Sequence, residues 1–250
     1  MYKPGLVSVT FRKLTVEEIL ALMARTELRA IEWGGDVHVP NPQVAAEVRK
    51  RTADRGIEMA SYGSYYHCGE DEDFETVLRS AAALGAPNIR VWAGDRGSLE
   101  ADADYRRKVV TDARMITAMA MTEGISVAFE FHGGTLTDTT KSTMTLLQEA
   151  EIPGLYTYWQ PPVGSRMEGN LETLAVIMPR VSNIHVFEWK MTGGECVRRP
   201  LAEGESHWPA YLAKLRCAEK SGFALLEFVR DDKPEQLIDD AAVLCRFLKG

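Results

Sequence analysis

Two carboxylates and one imidazole stand inside runs of apolar residues, where burial is expected. Glu130 lies in VAFEFHGGTLTDT, Glu227 in ALLEFV and His185 in NIHVFEW, while the aromatic run LYTYWQPP ends at Gln160. A carboxylate in the middle of an apolar strand is costly to bury unless something pairs with it. Two of them facing one another repel, and a divalent cation removes that repulsion. His185 and the Gln160 carbonyl would complete an N/O shell. The expected ligands are therefore Glu130, Gln160, His185 and Glu227, around Mn2+, Mg2+ or Zn2+. An alternative charge balance pairs the glutamates with arginines such as Arg90 or Arg198.

A bound divalent ion polarises a carbonyl or a neighbouring hydroxyl as a Lewis acid and acidifies the adjacent C–H. A pocket base then moves the proton. His132 is two residues past Glu130 and on the same side of a strand, and Gly133-Gly134 lets a ligand approach closely. The expected catalytic residues are His132, Glu130 and Glu227. Returning the proton to carbon gives isomerisation or epimerisation; loss of hydroxide from the β-carbon gives dehydration.

Substrate contacts are expected from several further positions. Trp92 and Trp159 stand at strand ends, where they form an apolar wall or simply core. Tyr66 and His67 follow the third strand and line the pocket or the surface. Lys190, Arg198 and Arg199 lie after the seventh strand, where a guanidinium can grip a carboxylate or phosphate bidentately or remain solvated. His38 and His207 read as surface residues.

These side chains must be carried on strands. Eight short runs rich in β-branched or aromatic residues are legible: Gly5–Thr10, Ala30–Trp33, Ile57–Tyr62, Asn88–Trp92, Ile125–Phe131, Leu155–Trp159, Asn183–Phe187 and Phe223–Phe228. Each precedes a segment with helical spacing of apolar residues: Thr15–Arg25, Pro42–Arg55, Phe74–Leu84, Tyr105–Glu123, Thr140–Ala150, Asn170–Met178, Trp208–Lys220 and Pro234–Leu248. TVEE at residues 15–18 reads as a capping box. Gly56, Gly85, Gly124 and Gly222 read as helix C-caps, and Pro234 opens the last helix. Strict strand–helix alternation implies a parallel sheet. Eight such units predict an α/β fold, a (β/α)8 TIM barrel forming a single domain over residues 1–250, with an open doubly wound sheet as the alternative. In such a barrel chemistry collects at the C-terminal strand ends.

Composition narrows the function classes. The chain has 250 residues, 45% hydrophobic and 26% charged, with a formal net charge of −7 and no basic run, which argues against a nucleic-acid partner. No apolar stretch approaches the roughly 18 residues needed to span a bilayer, and the first residues lack a signal peptide's apolar core. A cytoplasmic protein acting on a small molecule, with no membrane partner, is expected. Homo-oligomerisation stays open. The scattered Cys68, Cys196, Cys217 and Cys245 form no CxxC pair and read as packing residues in a reducing compartment.

SVTFR, AIEWGG, FEFH, NIHVFEW, and RPLAEGESHW followed by ALLEF recur in this order and spacing in the xylose-isomerase-like barrel superfamily, whose sugar phosphate isomerase/epimerase group the chain resembles along nearly its whole length. The resemblance implies an isomerase or epimerase acting on a small polyhydroxylated carbonyl compound, a sugar or sugar phosphate of carbohydrate metabolism, with a lyase as the runner-up, and a metal held by a Glu, an Asp, a His and a Glu from strands five to eight, which here become Glu130, Gln160, His185 and Glu227. It departs from the family at strand six, where Gln160-Pro161-Pro162-Val163 replaces Asp-x-x-His. Glu188 stands where an Asp usually follows the strand-seven His. IRVWAGDRGS and FEFHGGTLTDTTKST further resemble the metal-dependent 3-dehydroshikimate dehydratases. That likeness implies an active-site role for His132 and a substrate-binding role for Arg90. The ketose epimerases place a second catalytic Glu shortly after the strand-five ligand, where this chain has GGTLT. Two rival classes are an endonuclease IV-like repair enzyme, disfavoured by five histidines and negative charge, and a barrel that binds sugar without catalysis.

Overall fold

In the computed structural model, which describes all 250 residues, strands β1 (Tyr2–Val7), β2 (Ala30–Gly34), β3 (Glu58–His67), β4 (Asn88–Trp92), β5 (Ser126–Phe129), β6 (Leu155–Trp159), β7 (Val181–Val186) and β10 (Gly222–Leu226) form a closed parallel barrel. The barrel closes where Tyr2–Leu6 of β1 pairs with Gly222–Leu226 of β10. The expected (β/α)8 barrel is thus present, and the open sheet is excluded. Helices α1 (Val16–Met23), α2 (Pro42–Asp54), α3 (Phe74–Leu84), α4 (Ala103–Thr122), α5 (Thr140–Ala150), α6 (Met167–Ile177), α7 (Trp208–Cys217) and α8 (Pro234–Lys249) form the outer layer. No helix is long and apolar enough to cross a membrane.

Side chains alternate across each strand, and two apolar clusters record that alternation. Ile31, Trp33, Val127, Phe129, Ile184, Val186, Ala224 and Leu226 belong to the larger cluster, between barrel and helices. Ala30, Ala60, Ala128, Tyr158 and Leu225 form a smaller one inside the barrel. The small interior alanines leave room for the Tyr158 ring. The same period carries Glu32, Glu130, Gln160, His185 and Glu227 to the interior, because each lies two residues from an interior position or shares its parity. It carries Trp159 the other way. That residue is fully buried between strand and helix, edge-on to Trp208 at 6.2 Å and Tyr211 at 5.2 Å. Trp159 is therefore core and not part of a substrate wall.

Local signals hold in most places. Thr15 and Glu18 form the expected capping box on α1, and Gly56, Gly85 and Gly124 adopt the left-handed conformation of a C-cap. Gly222 does not. It opens β10, the left-handed residue after α7 being Glu219. Its requirement is closeness, since a Cβ at 222 would lie 2.0 Å from the Ser182 carbonyl oxygen. The first strand ends at Val7, and Ser8–Phe11 turns as a 3-10 helix; the third runs on to His67. An unanticipated antiparallel hairpin, β8 (Glu188–Thr192) with β9 (Glu195–Arg199), follows β7. Cys68 and Cys245 are buried as expected, but Cys196 and Cys217 are exposed, and all four are free thiols.

Asp240 ties α8 to the turn Leu201–Gly204 by accepting from the Leu201 amide at 2.9 Å and from the Gln236 side chain at 2.9 Å. Burial is the main cause that pushes its carboxyl up to about 6. The folded state thus favours the neutral acid. Stability from this group is present below about pH 4 and is lost as pH rises through about 6. Asp240→Asn cannot ionise, so its stability relative to wild type should rise by roughly 2 kcal/mol between pH 4 and pH 7. Denaturant titrations at the two pH values check this, and a pH-independent difference would refute it.

Candidate metal centre and active site

The barrel interior holds three carboxylates around one guanidinium and one imidazole. Arg90 of β4 donates from Nε to Glu32 Oε1 at 3.0 Å and from Nη1 to Glu130 Oε2 at 2.6 Å. All three side chains are buried. Burial opposes the charge on Arg90, but Glu130 and Glu32 hold the guanidinium above its ordinary value. Burial likewise tends to lift the Glu32 carboxyl, yet Arg90, His185 and Ser61 together hold it well below the usual carboxylate range. The alternative charge balance is therefore realised for Glu130, with Arg90 as its partner. Arg90 has two donors committed to carboxylates and is not a free substrate cation.

Glu130, just past β5, is anchored by its amide to the Val91 carbonyl at 2.9 Å and by the Thr137 hydroxyl on its own carbonyl at 2.5 Å. Glu227, just past β10, is anchored by its amide to the Val186 carbonyl at 3.0 Å. His185 reaches both from β7: Nδ1 lies 3.3 Å from Glu227 Oε2 and 3.7 Å from Glu130 Oε1. Gln160 completes the ring, its Oε1 2.9 Å from His185 Nδ1 and its Nε2 donating to Glu130 Oε1 at 3.4 Å. Burial favours a neutral His185 ring, but Glu227 and then Glu32 outweigh it and push the imidazole up to about 10.

This donor set fits a divalent cation. One ligand atom from each of Glu130, His185 and Glu227 falls within 4.8 Å of the others, and adjacent donors about 2.1 Å from a common ion sit about 3 Å apart. Three carboxylates against one guanidinium leave two negative charges, which a divalent ion balances with His185 neutral. The structure thus brings together the four residues expected to hold a metal, with Gln160 as the neutral member.

His132 lies just past β5, and its ring shares no hydrogen bond with that donor set. Its ring is 4.6 Å from Trp92, which also meets His67 at 5.3 Å and Tyr65 at 6.4 Å. Tyr65 lies over Arg90 at 5.6 Å. His132, Trp92, His67 and Tyr65 thus form one aromatic wall at the ends of β3 to β5. His132 Nδ1 is 2.6 Å from the Gly133 carbonyl oxygen. A carbonyl only accepts, so Nδ1 carries a proton, and the neutral ring has its lone pair on Nε2.

Other expected residues lie elsewhere. Lys190 and Arg198 belong to the β8–β9 hairpin and are paired with Glu203 at 2.9 Å and Asp232 at 2.5 Å; Arg199 also meets Glu203. Tyr66 is buried, with its hydroxyl on Asp112. Glu188 does not join the donor set: it turns to His207 at 2.9 Å, so His207 is half-buried in an acid–imidazole pair. His38 is buried rather than exposed, bound to Ser8 and to the Leu14 carbonyl. Sequence reasoning missed Glu32, Ser61, Tyr158 and Asn183. Glu32 carries the signal that singled out Glu130, a carboxylate in an apolar run; the other three carry none.

Removing one partner of a buried ion pair strands the others. Arg90→Met should cost about 3–5 kcal/mol of stability, because Glu32 and Glu130 lose their shared cation. Arg90→Lys should recover only part of it, since an ammonium cannot span both carboxylates as the fork does. Urea unfolding of the metal-free protein measures both losses, and a loss under about 1 kcal/mol for Arg90→Met would show that the pair contributes nothing net.

Comparison with known proteins agrees with this architecture. A protein 30% identical over 166 residues is the 3-dehydroshikimate dehydratase of Bacillus anthracis; the match covers 61% of this chain and 59% of that protein, less than two thirds of its length. Among solved structures, the probable 3-DHS dehydratase AsbF of Bacillus anthracis, involved in petrobactin synthesis, superposes with a TM-score of 0.80 at 21% identity, covering 98% of this chain and 99% of that one. A D-psicose 3-epimerase superposes with a TM-score of 0.74 at 16% identity, over 99% and 100% of the two chains. The family model described as xylose isomerase-like TIM barrel matches residues 20–247, and the chain belongs to that family.

Proposed function

We propose that the protein is a divalent-metal-dependent lyase that dehydrates a small hydroxylated ketone of the 3-dehydroshikimate kind. The carrying observation is the convergence of Glu130, His185 and Glu227 inside the barrel, beside a wall that presents His132. Glu130, Gln160, His185 and Glu227 would hold the ion. When bound, it would supply Lewis acidity that polarises the substrate carbonyl and acidifies the adjacent C–H. His132, with Nδ1 held by Gly133, uses the Nε2 lone pair to take that proton. The released electron pair forms a C=C bond, and the β-hydroxyl leaves with the proton returned by His132, so water departs and the base is restored. Trp92 and Tyr65 cover one face of the substrate and keep bulk water from it.

The second reading is a ketose 3-epimerase, which needs bases on both faces of one carbon. Against it, the first carboxylate past Glu130 is Asp138, and that side chain accepts from the Ser98 amide at 2.8 Å. The two readings separate in one experiment. Protein loaded with Mn2+ or Mg2+ is given 3-dehydroshikimate, and separately D-psicose or L-ribulose, in D2O, and followed by proton NMR. Water loss from the first without deuterium entry at C3 of the ketoses is expected. Deuterium at C3 without dehydration would favour the epimerase, and neither reaction would leave a barrel that only binds.

A further inference from the structure

A third buried carboxylate takes no part in the reaction outlined above. Glu32 projects from β2 into the barrel and is wholly buried. Its Oε2 accepts from Ser61 at 2.5 Å and from Tyr158 at 2.9 Å, and the Tyr158 hydroxyl accepts in turn from Asn183 at 2.8 Å. Its Oε1 accepts from Arg90 Nε and lies 3.7 Å from His185 Nε2. Space for this arrangement comes from Gly63, where a Cβ would sit 2.7 Å from Glu32 Oε1 and 3.0 Å from Arg90 Nη2.

Two lines run from Glu32 to the donor set. Along the first, Arg90 occupies Glu130 Oε2, which leaves Oε1 to face His185 and Gln160. Along the second, His185 Nε2 is buried without a hydrogen-bond partner, and Glu32 is the carboxylate before it. With Nε2 turned to Glu32, Nδ1 faces Glu130 and Glu227. An ion pair serving stability alone accounts for Arg90 but not for a carboxylate set behind the imidazole. Carboxylates behind ligating histidines fix ring orientation and raise ligand basicity.

We propose that Glu32 is a positioning residue for the cation site: through Arg90 it selects the oxygen that Glu130 presents, and through His185 Nε2 it sets the ring that presents Nδ1. The inference rests on the divalent-cation reading of Glu130, His185 and Glu227.

Co2+ is the probe, because its visible absorption reports ligand geometry without turnover. Wild type, Glu32→Gln, Glu32→Asp and Ile31→Val are titrated by calorimetry and by absorption. Glu32→Gln is expected to bind Co2+ about 10- to 100-fold more weakly, with altered band positions. Glu32→Asp keeps the charge and should recover part of the affinity. Ile31→Val trims the helix-facing side of the same strand and should lower stability while leaving Co2+ affinity and spectrum unchanged. Should Glu32→Gln fail to fold, Tyr158→Phe takes its place: it removes one hydrogen bond to Glu32 and should weaken Co2+ severalfold. Wild-type affinity and spectrum in folded Glu32→Gln, or in Tyr158→Phe where that variant stands in, overturns the proposal. Absence of Co2+ binding by wild type instead overturns the cation reading beneath it.

Discussion

Glu227→Gln is expected to strip most divalent cation from the protein while the barrel stays folded. The change is isosteric, and the backbone anchor of the residue, its amide on the Val186 carbonyl, is untouched. What disappears is one anionic donor, 3.3 Å from His185 Nδ1, and with it part of the negative charge that makes a cation welcome in a buried site. Loss of an outer partner of a metal ligand costs about 10- to 100-fold in affinity, and losing a ligand itself should cost more. Metal content after gel filtration, read by elemental analysis beside far-ultraviolet circular dichroism, checks both halves. Wild-type metal content in a folded variant would show that Glu227 does not share the site.

His132→Asn should depress turnover by about 10²–10⁴-fold, the usual worth of a positioned base, with metal content unchanged. Asparagine keeps much of the size and some hydrogen bonding but offers no basic lone pair near neutral pH. Spared metal is expected because the His132 ring packs on Trp92 at 4.6 Å and bonds to the Gly133 carbonyl, outside the Glu130–His185–Glu227 set. The measurement is dehydration of 3-dehydroshikimate together with exchange of substrate C–H in D2O. Joint loss of metal and activity would make His132 a ligand and the assigned roles wrong. Full activity would move the base to Glu227 or another group.

The hairpin shows how much could be read and how it was missed. Gly193-Gly194 stands between β8 and β9 and is a hairpin signal of the usual kind. Glu188–Thr192 alternates and Glu195–Arg199 does not, and neither buries a face as the barrel strands do: Lys190 to Glu195 are all exposed. Buried apolar runs mark the barrel strands, and these two segments are not such runs.

The strand–helix rhythm, hence the barrel, is legible along the chain, and so are Glu130, His185 and Glu227 as residues that need partners. Both follow from local rules: a period of two sends alternate residues to one face, and a charge inside an apolar run must find a partner. Which partners those charges find depends on contacts made across the closed barrel. Arg90 lies 40 residues from Glu130 and 58 from Glu32, and Tyr158 lies 126 from Glu32. Contacts across such separations depend on barrel closure and register, which no local pattern encodes. Closure also sent Trp159 outward to Trp208, turned Glu188 to His207, and set Glu32 behind His185. A residue's type limits the chemistry it can perform; the strand that carries it, and the neighbour it meets across the barrel, decide which part of that chemistry it is placed to do.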